Sequence, residues 1–269
     1  MRPRRYAVLA AVLALAFAPG ASSQAPLSDA QVEQFLKTAR VGKTRTTGKG
    51  ITASTRATLS DGALTHDAHI QTIDERKGVF ESRDGVEFNF RDSWVFNVAA
   101  YRLDRLLGLN LVPVSVSRRW RAAPGAFTWW VDDVMMDEGE RLKKGLRSPD
   151  SARWNRQMQM VRLFDQLIAN TDRNIGNVLI TSDWRIWAID HTRAFRTQKT
   201  LKSPKNITSC DRQVFERLKQ LDQPTIEREM GEMLSPDEIN ALLARRDAIL
   251  ARLAELGPAA IFERSEVTK

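Results

Sequence analysis

Apolar side chains recur at three- and four-residue intervals in four stretches of the chain, the spacing of one helical face. The first runs from Leu27 to Arg40, with Val32, Phe35 and Leu36 on one side. The second follows Asp92-Ser93, a predicted N-cap, and carries Val95, Val98, Leu103 and Leu106 to a left-handed stop at Gly108. The third, Arg153 to Ala169, aligns Met158, Val161, Phe164, Leu167 and Ile168. The fourth opens on Ser235-Pro236-Asp237-Glu238, a capping box with proline at the first helical position, and runs to Leu256 before Gly257-Pro258.

Between these stretches the pattern is that of strands. Ile51 to Leu59 and Leu64 to Ile73 are β-prone runs joined by Ser60-Asp61-Gly62, and Asp-Gly suits a tight hairpin because it tolerates φ > 0. Asp84-Gly85 marks a further turn ahead of Val86 to Phe90. Leu111 to Val116 and Ala126 to Met136 read as two strands around a Pro124-Gly125 turn, whereas Val41 to Gly50 reads as a flexible basic stretch.

The N-terminus has a different pattern. Arg2, Arg4 and Arg5 precede a continuous apolar run, Tyr6 to Phe17, and a small-residue exit through Ser23. This predicts a secretory leader over residues 1–23; the run is shorter than the roughly 20 apolar residues a membrane span requires. Export to the periplasm or the exterior follows. No later segment is long enough to span a membrane, and the single Cys210 allows no intrachain disulfide. Composition is otherwise ordinary for a globular chain, with 42% hydrophobic and 28% charged residues. The formal charge of +8 falls to +5 without the three leader arginines. A mildly basic surface suits anionic partners such as nucleotides. No nucleic-acid motif accompanies it. No H-E-x-x-H, Cys/His cluster or G-x-S-x-G is present, which argues against zinc enzymes and α/β-hydrolases.

The densest chemistry lies between Asn170 and Phe195. Asp172 precedes Asn177 by five positions, and Asp190 follows thirteen further on. Val178 to Ile180 and Ile186 to Ile189 predict a hairpin turning at Thr181-Ser182-Asp183. Pairing Ile180 with Trp187 sets Asn177 directly opposite Asp190, and such cross-strand neighbours have Cβ atoms about 4.5–5.5 Å apart. An amide oxygen and a carboxylate then converge on a point suited to Mg²⁺. Asp172 on the preceding loop is positioned to accept a proton from an attacking hydroxyl.

The order D-x-x-x-x-N followed by an aspartate that begins a loop is the arrangement of a kinase catalytic loop and metal aspartate. The wording D-Q-L-I-A-N-T-D-R-N-I-G-N, then I-D-H-T-R-A-F, resembles the atypical kinases: phosphatidylinositol kinases, HipA-like kinases and secretory-pathway kinases. The close resemblance covers residues 161–196 and a looser one reaches back to residue 48. It implies an α+β, two-lobed protein-kinase-like fold: a small β-rich N-lobe at 48–136 and a mainly helical C-lobe at 137–269, after an N-terminal helix and basic linker at 24–47. It also implies Asp172 as catalytic base, Asn177 and Asp190 as ligands of Mg²⁺ or Mn²⁺, and ATP or another nucleotide triphosphate as donor. Gly50, Thr52 and Ser54 lie in a Gly-rich segment fit to cradle phosphates through backbone N–H groups.

The sequence departs from the kinase pattern at one pair. The positions aligned with the strand lysine and the helix glutamate are Gln71 and Asn97, so both charges are missing together. Three functions remain in view. One is an exported phosphotransferase acting on a protein, sugar or lipid hydroxyl. Another is a non-catalytic pseudokinase that binds nucleotide or another anion and regulates a partner. The last is a binding or scaffold protein that retains only the fold.

Overall fold

The computed structural model describes residues 27–46, 54–82, 85–170 and 173–263. The predicted leader, together with Gly50, Thr52 and Asp172, lies outside the described residues. Helix α1 (Asp29–Thr38) starts from Ser28, whose hydroxyl accepts from the Gln31 N–H while the Gln31 side chain accepts from Ser28. Its Val32, Phe35 and Leu36 are buried, as the helical spacing predicts.

Strands β1 (Arg40–Thr46), β2 (Thr55–Ser60) and β3 (Thr65–Gln71) lead into a separate hairpin, β4 (Asp74–Ser82) and β5 (Gly85–Ser93). Helix α2 (Val95–Leu107) follows, then β6 (Ser115–Trp120) and β7 (Ala123–Trp129). The main sheet is antiparallel in the order β1-β2-β3-β7-β6. The stretch expected to be flexible from Val41 is strand β1 as far as Thr46. It is an edge strand with almost no buried residue, so it carries no apolar alternation to read. The hairpin between β6 and β7 turns at Arg121-Ala122, with φ of 49° and 66°, and not at Pro124-Gly125. Arg-Ala lacks the usual residues of such a turn. Gly125 instead allows a close approach between strands, because a Cβ there would come within 2.8 Å of the Gln71 carbonyl oxygen.

Helix α2 begins later than Asp92-Ser93 suggested. Trp94 is its N-cap, with no side-chain capping bond, because β5 continues through Ser93, whose hydroxyl donates to Asp74 (2.7 Å). Its end is as expected, at Gly108 with φ 66°. The buried Asp104 accepts from the N–H groups of Leu111 (2.8 Å) and Val112 (3.2 Å), fixing the turn that brings the chain back to β6. Burial pushes its carboxyl up to about 6 against the pull of Arg105 and these bonds.

The run from Ala126 to Met136 is broken at Trp130–Asp133 rather than continuous. Asp133 takes φ 54°, and β8 (Val134–Asp137) joins a second sheet ordered β10-β9-β8, with β9 (Val178–Thr181) and β10 (Ile186–Ala188). This crossing links the β-rich part to a helical part made of α3 (Glu138–Lys143), α4 (Ser151–Leu167), α5 (Arg212–Gln220), α6 (Gln223–Met230) and α7 (Pro236–Leu256). Short parallel strands β11 (Cys210–Asp211) and β12 (Ile261–Phe262) close that part. Among the described residues, no helix is long and apolar enough to cross a membrane.

Helix α7 has the Ser235–Glu238 capping box the sequence announces. At its centre Arg245 is 0% exposed, and its Nε donates to the Leu167 carbonyl (2.8 Å) at the end of α4. Its Nη1 donates to the carbonyls of Arg196 (2.8 Å) and Gln198. Burial pulls the guanidinium down to about 10, so it remains charged at neutral pH. Arg245→Met would strand two buried carbonyls, those of Leu167 and Arg196, at about 1–3 kcal/mol each. Urea unfolding should show a loss of about 2 kcal/mol or more.

Candidate active site

The β9–β10 hairpin turns through Ser182, Asp183 and Trp184. Trp184 is left-handed (φ 61°), Thr181 N–H donates to Arg185 O (3.0 Å) and Trp184 N–H to Thr181 O (2.9 Å). This is a three-residue loop, whereas the expected register requires an even number of loop residues. Ile180 therefore faces Ile186, one residue away from the predicted Trp187, and Asn177 stands opposite Ile189 rather than Asp190. Asp190 follows the end of the ladder in the left-handed region (φ 57°), which a short aspartate tolerates. Although the pairing is corrected, Asn177 and Asp190 line one cleft.

That cleft has a volume of about 310 Å³. Ser54, just before β2, lines it with His69 and Gln71 from β3 and Asn97 from α2. The crossing residues Trp129, Trp130 and Val131 border it, with Val112 and Pro113 from the turn that Asp104 holds. Leu179, Ala188, Asn177 and Asp190 line it from the second sheet and its edges. The size is that of a small-molecule site.

The missing lysine–glutamate pair is replaced by two separate attachments. Gln71 Oε1 accepts from the N–H groups of Thr72 (2.9 Å) and Ile73 (3.1 Å), bracing the end of β3. Asn97 Oδ1 accepts from the His191 N–H (2.8 Å), tying α2 to the residue after Asp190. His191 is buried, and burial, with the Arg173 charge next, holds its imidazole far below the usual range. Its neutral Nε2 accepts from Arg173 Nη2 (2.8 Å).

Arg173 is the hub of the loop. Its guanidinium donates to Asp165 from Nε (3.1 Å) and Nη2 (3.1 Å), and from Nη1 to the carbonyls of Asn177 (3.1 Å) and Ile189. Asn170 also donates to Asp165 (3.3 Å). Residues on both sides of positions 171–172 are thus pinned to one largely buried carboxylate. Burial pushes that carboxyl up, and Arg173 and Asn170 pull against it. Arg193, the other arginine of the motif, faces Asp92 across 3.4 Å.

The donor set suits a divalent cation shared with phosphate. Among the described residues no three His, Cys, Asp or Glu side chains gather into a metal cage. One amide oxygen and one carboxylate are what Mg²⁺ takes when substrate phosphates complete its shell. Gly50, Thr52 and Asp172 lie outside the described residues, whereas Ser54, Gln71, Asn97, Asn177 and Asp190 all reach the cleft. Sequence reasoning passed over His69, Asp137 and the Trp129–Val131 border. His69 was recoverable, since in a strand it shares a face with Gln71 two residues on.

Several solved structures superpose on this chain. The structure of hydra Fam20 with sugar superposes with a TM-score of 0.67 at 15% identity, covering 87% of this chain and 92% of that one. The Golgi casein kinase with Mn/ADP bound gives 0.62 at 14% identity, over 89% and 80%. The Helicobacter pylori proinflammatory kinase CtkA gives 0.51 at 11% identity, over 82% and 98%. The chain has an atypical kinase-like fold. No family model and no curated protein sequence matches it. In this kinase-like fold the β-rich part is the small lobe and the helical part the large one. The cleft lies between them.

Proposed function

We propose that the chain is an exported phosphotransferase that moves a phosphoryl group from a nucleotide triphosphate to a hydroxyl acceptor. The observation that carries this is the meeting of Asn177 and Asp190 on the same cleft as Gln71 and Asn97. The Mn/ADP complex of the similarly folded Golgi casein kinase supports a nucleotide and a divalent metal as its ligands.

Asn177 and Asp190 would hold Mg²⁺ or Mn²⁺, and the bound metal would offset charge on the phosphate oxygens. The acceptor oxygen attacks the terminal phosphorus, the bond to the bridging oxygen breaks, and the nucleoside diphosphate leaves. Asp172 takes the hydroxyl proton. The bonds of Arg173 and Asn170 to Asp165 hold the flanks of that aspartate's loop. Ser54, with Gly50 and Thr52, would receive the phosphates. The acceptor class is a protein, sugar or lipid hydroxyl, and export rests on the leader read at residues 1–23.

The second reading is a pseudokinase that binds nucleotide and regulates a partner. Gln71 and Asn97 favour it, because a neutral amide holds phosphate about half as strongly as an ammonium does. A thermal-shift titration with ATP and Mn²⁺ tests what the two readings share. At about 100 times its Kd, the ligand should add about 2.7 kcal/mol of stability. An unshifted melting temperature would exclude both readings for that nucleotide. Transfer of labelled phosphate to an acceptor then separates them, because a pseudokinase binds without transfer.

A further inference from the structure

His69 lines the cleft, and the metal and phosphate assignments above give it no role. His69 lies on β3 between Ala68 and Ile70, both buried in the core, so its ring is on the opposite face with Gln71. In the sheet it pairs with Thr128 on β7, which also lines the cleft and adjoins the Trp129–Val131 crossing. Gln71 pairs further along, with Ala126. His69 is thus on the crossing side of Gln71, and Ser54, which precedes the Thr55–Ile70 pair, is at the Gln71 end. The second sheet supplies Leu179 and Ala188 to the cleft, and Val112 and Pro113 add an apolar wall.

The ring carries no charge there. Burial pulls its pKa down to about 4, and Arg56, its partner across β2, is occupied elsewhere. Arg56 Nε donates to Asp67 (2.5 Å), and its guanidinium lies 4.0 Å from the Trp130 ring centre. A neutral flat ring in a cleft with an apolar wall suits another flat ring, because any aromatic base presents a π-face.

Resting on the nucleotide reading above, we infer that His69 is the stacking surface for the nucleobase. Binding of the base depends on His69, and binding of the phosphates does not. The donor is then a nucleotide held at both ends, rather than an inorganic polyphosphate held at one.

Calorimetric Kd values for Mn²⁺–ADP and Mn²⁺–pyrophosphate test this in wild type, His69→Ala and His69→Phe. His69→Ala should weaken ADP about tenfold or more and leave pyrophosphate within about twofold. His69→Phe, which keeps a flat ring, should hold ADP within about threefold of wild type. Unchanged ADP binding in His69→Ala overturns the inference and leaves the nucleotide reading standing. Equal losses for both ligands also overturn it, by making His69 a strand or phosphate residue. If the alanine variant does not fold, His69→Phe decides alone, and a tenfold loss confined to ADP sinks the stacking role. Failure of the wild type to bind either ligand removes the nucleotide reading and this inference together.

Discussion

Asp190→Asn should abolish the stabilisation that ATP and Mn²⁺ give the wild type and lower phosphoryl transfer by at least about 10³-fold. The charge is the reason. Asp190 is the only carboxylate of the proposed metal pair, and polarising phosphate oxygens through a metal contributes several kcal/mol to the transition state. Asparagine is the cleaner substitution, since at φ 57° it is tolerated where alanine is strained. The unliganded fold should survive. Burial pushes the neighbouring Asp92 carboxyl up, and Asp190 is one of the charges that add to that push. Neutralising Asp190 relieves the repulsion. Asn177→Ala should be milder, because a neutral oxygen binds a cation less strongly than a carboxylate. Melting curves with and without ATP and Mn²⁺, beside labelled-phosphate transfer, read both effects. An Asp190→Asn protein that keeps the full ligand shift would remove this residue from the metal site.

Most of the helical framework was legible because its signals are local. Ser235 and Glu238 cap α7 through bonds within one turn, Gly108 ends α2 in the one conformation it favours, and the stripe of α4 faces the core. Two strand features that escaped depend on partners distant in sequence. Strand β1 is a strand only because β2 pairs with it, and its exposed lysine, threonine and arginine residues carry no alternation. The break at Trp130–Asp133 is the passage from one sheet to another, and its local mark is the pair Asp132-Asp133, a residue type depleted in strands.

The site was legible in composition but not in register. The residue types of Asn177 and Asp190 announced their chemistry, but their predicted pairing failed on the length of one loop. A left-handed tryptophan closing that loop has no sequence signature. That both residues still reach the cleft depends on Arg173, which binds the backbone of Asn177 and of Ile189, the residue before Asp190.

Arg173→Met should therefore be the most damaging substitution for the assembly of the site. It leaves Asp165 in the interior without its counter-charge, and breaking a buried pair from one side costs about 3–5 kcal/mol. The pH dependence identifies the cause. Burial already raises the Asp165 carboxyl in the folded protein, with Arg173 the first of the groups opposing that rise. Without Arg173 the folded-state value rises further above the unfolded one. A group raised in this way contributes stability at low pH that is lost as pH rises through the folded value. The deficit against wild type should be largest near neutral pH and shrink in acid as Asp165 protonates. Asp165→Asn combined with Arg173→Met should recover much of the stability, because no charge is then left buried. It should not recover phosphoryl transfer, since the carbonyls of Asn177 and Ile189 remain without their shared donor. Urea midpoints at several pH values measure the first effect and transfer assays the second. A deficit that is flat with pH would mean that Arg173 acts through its backbone bonds alone.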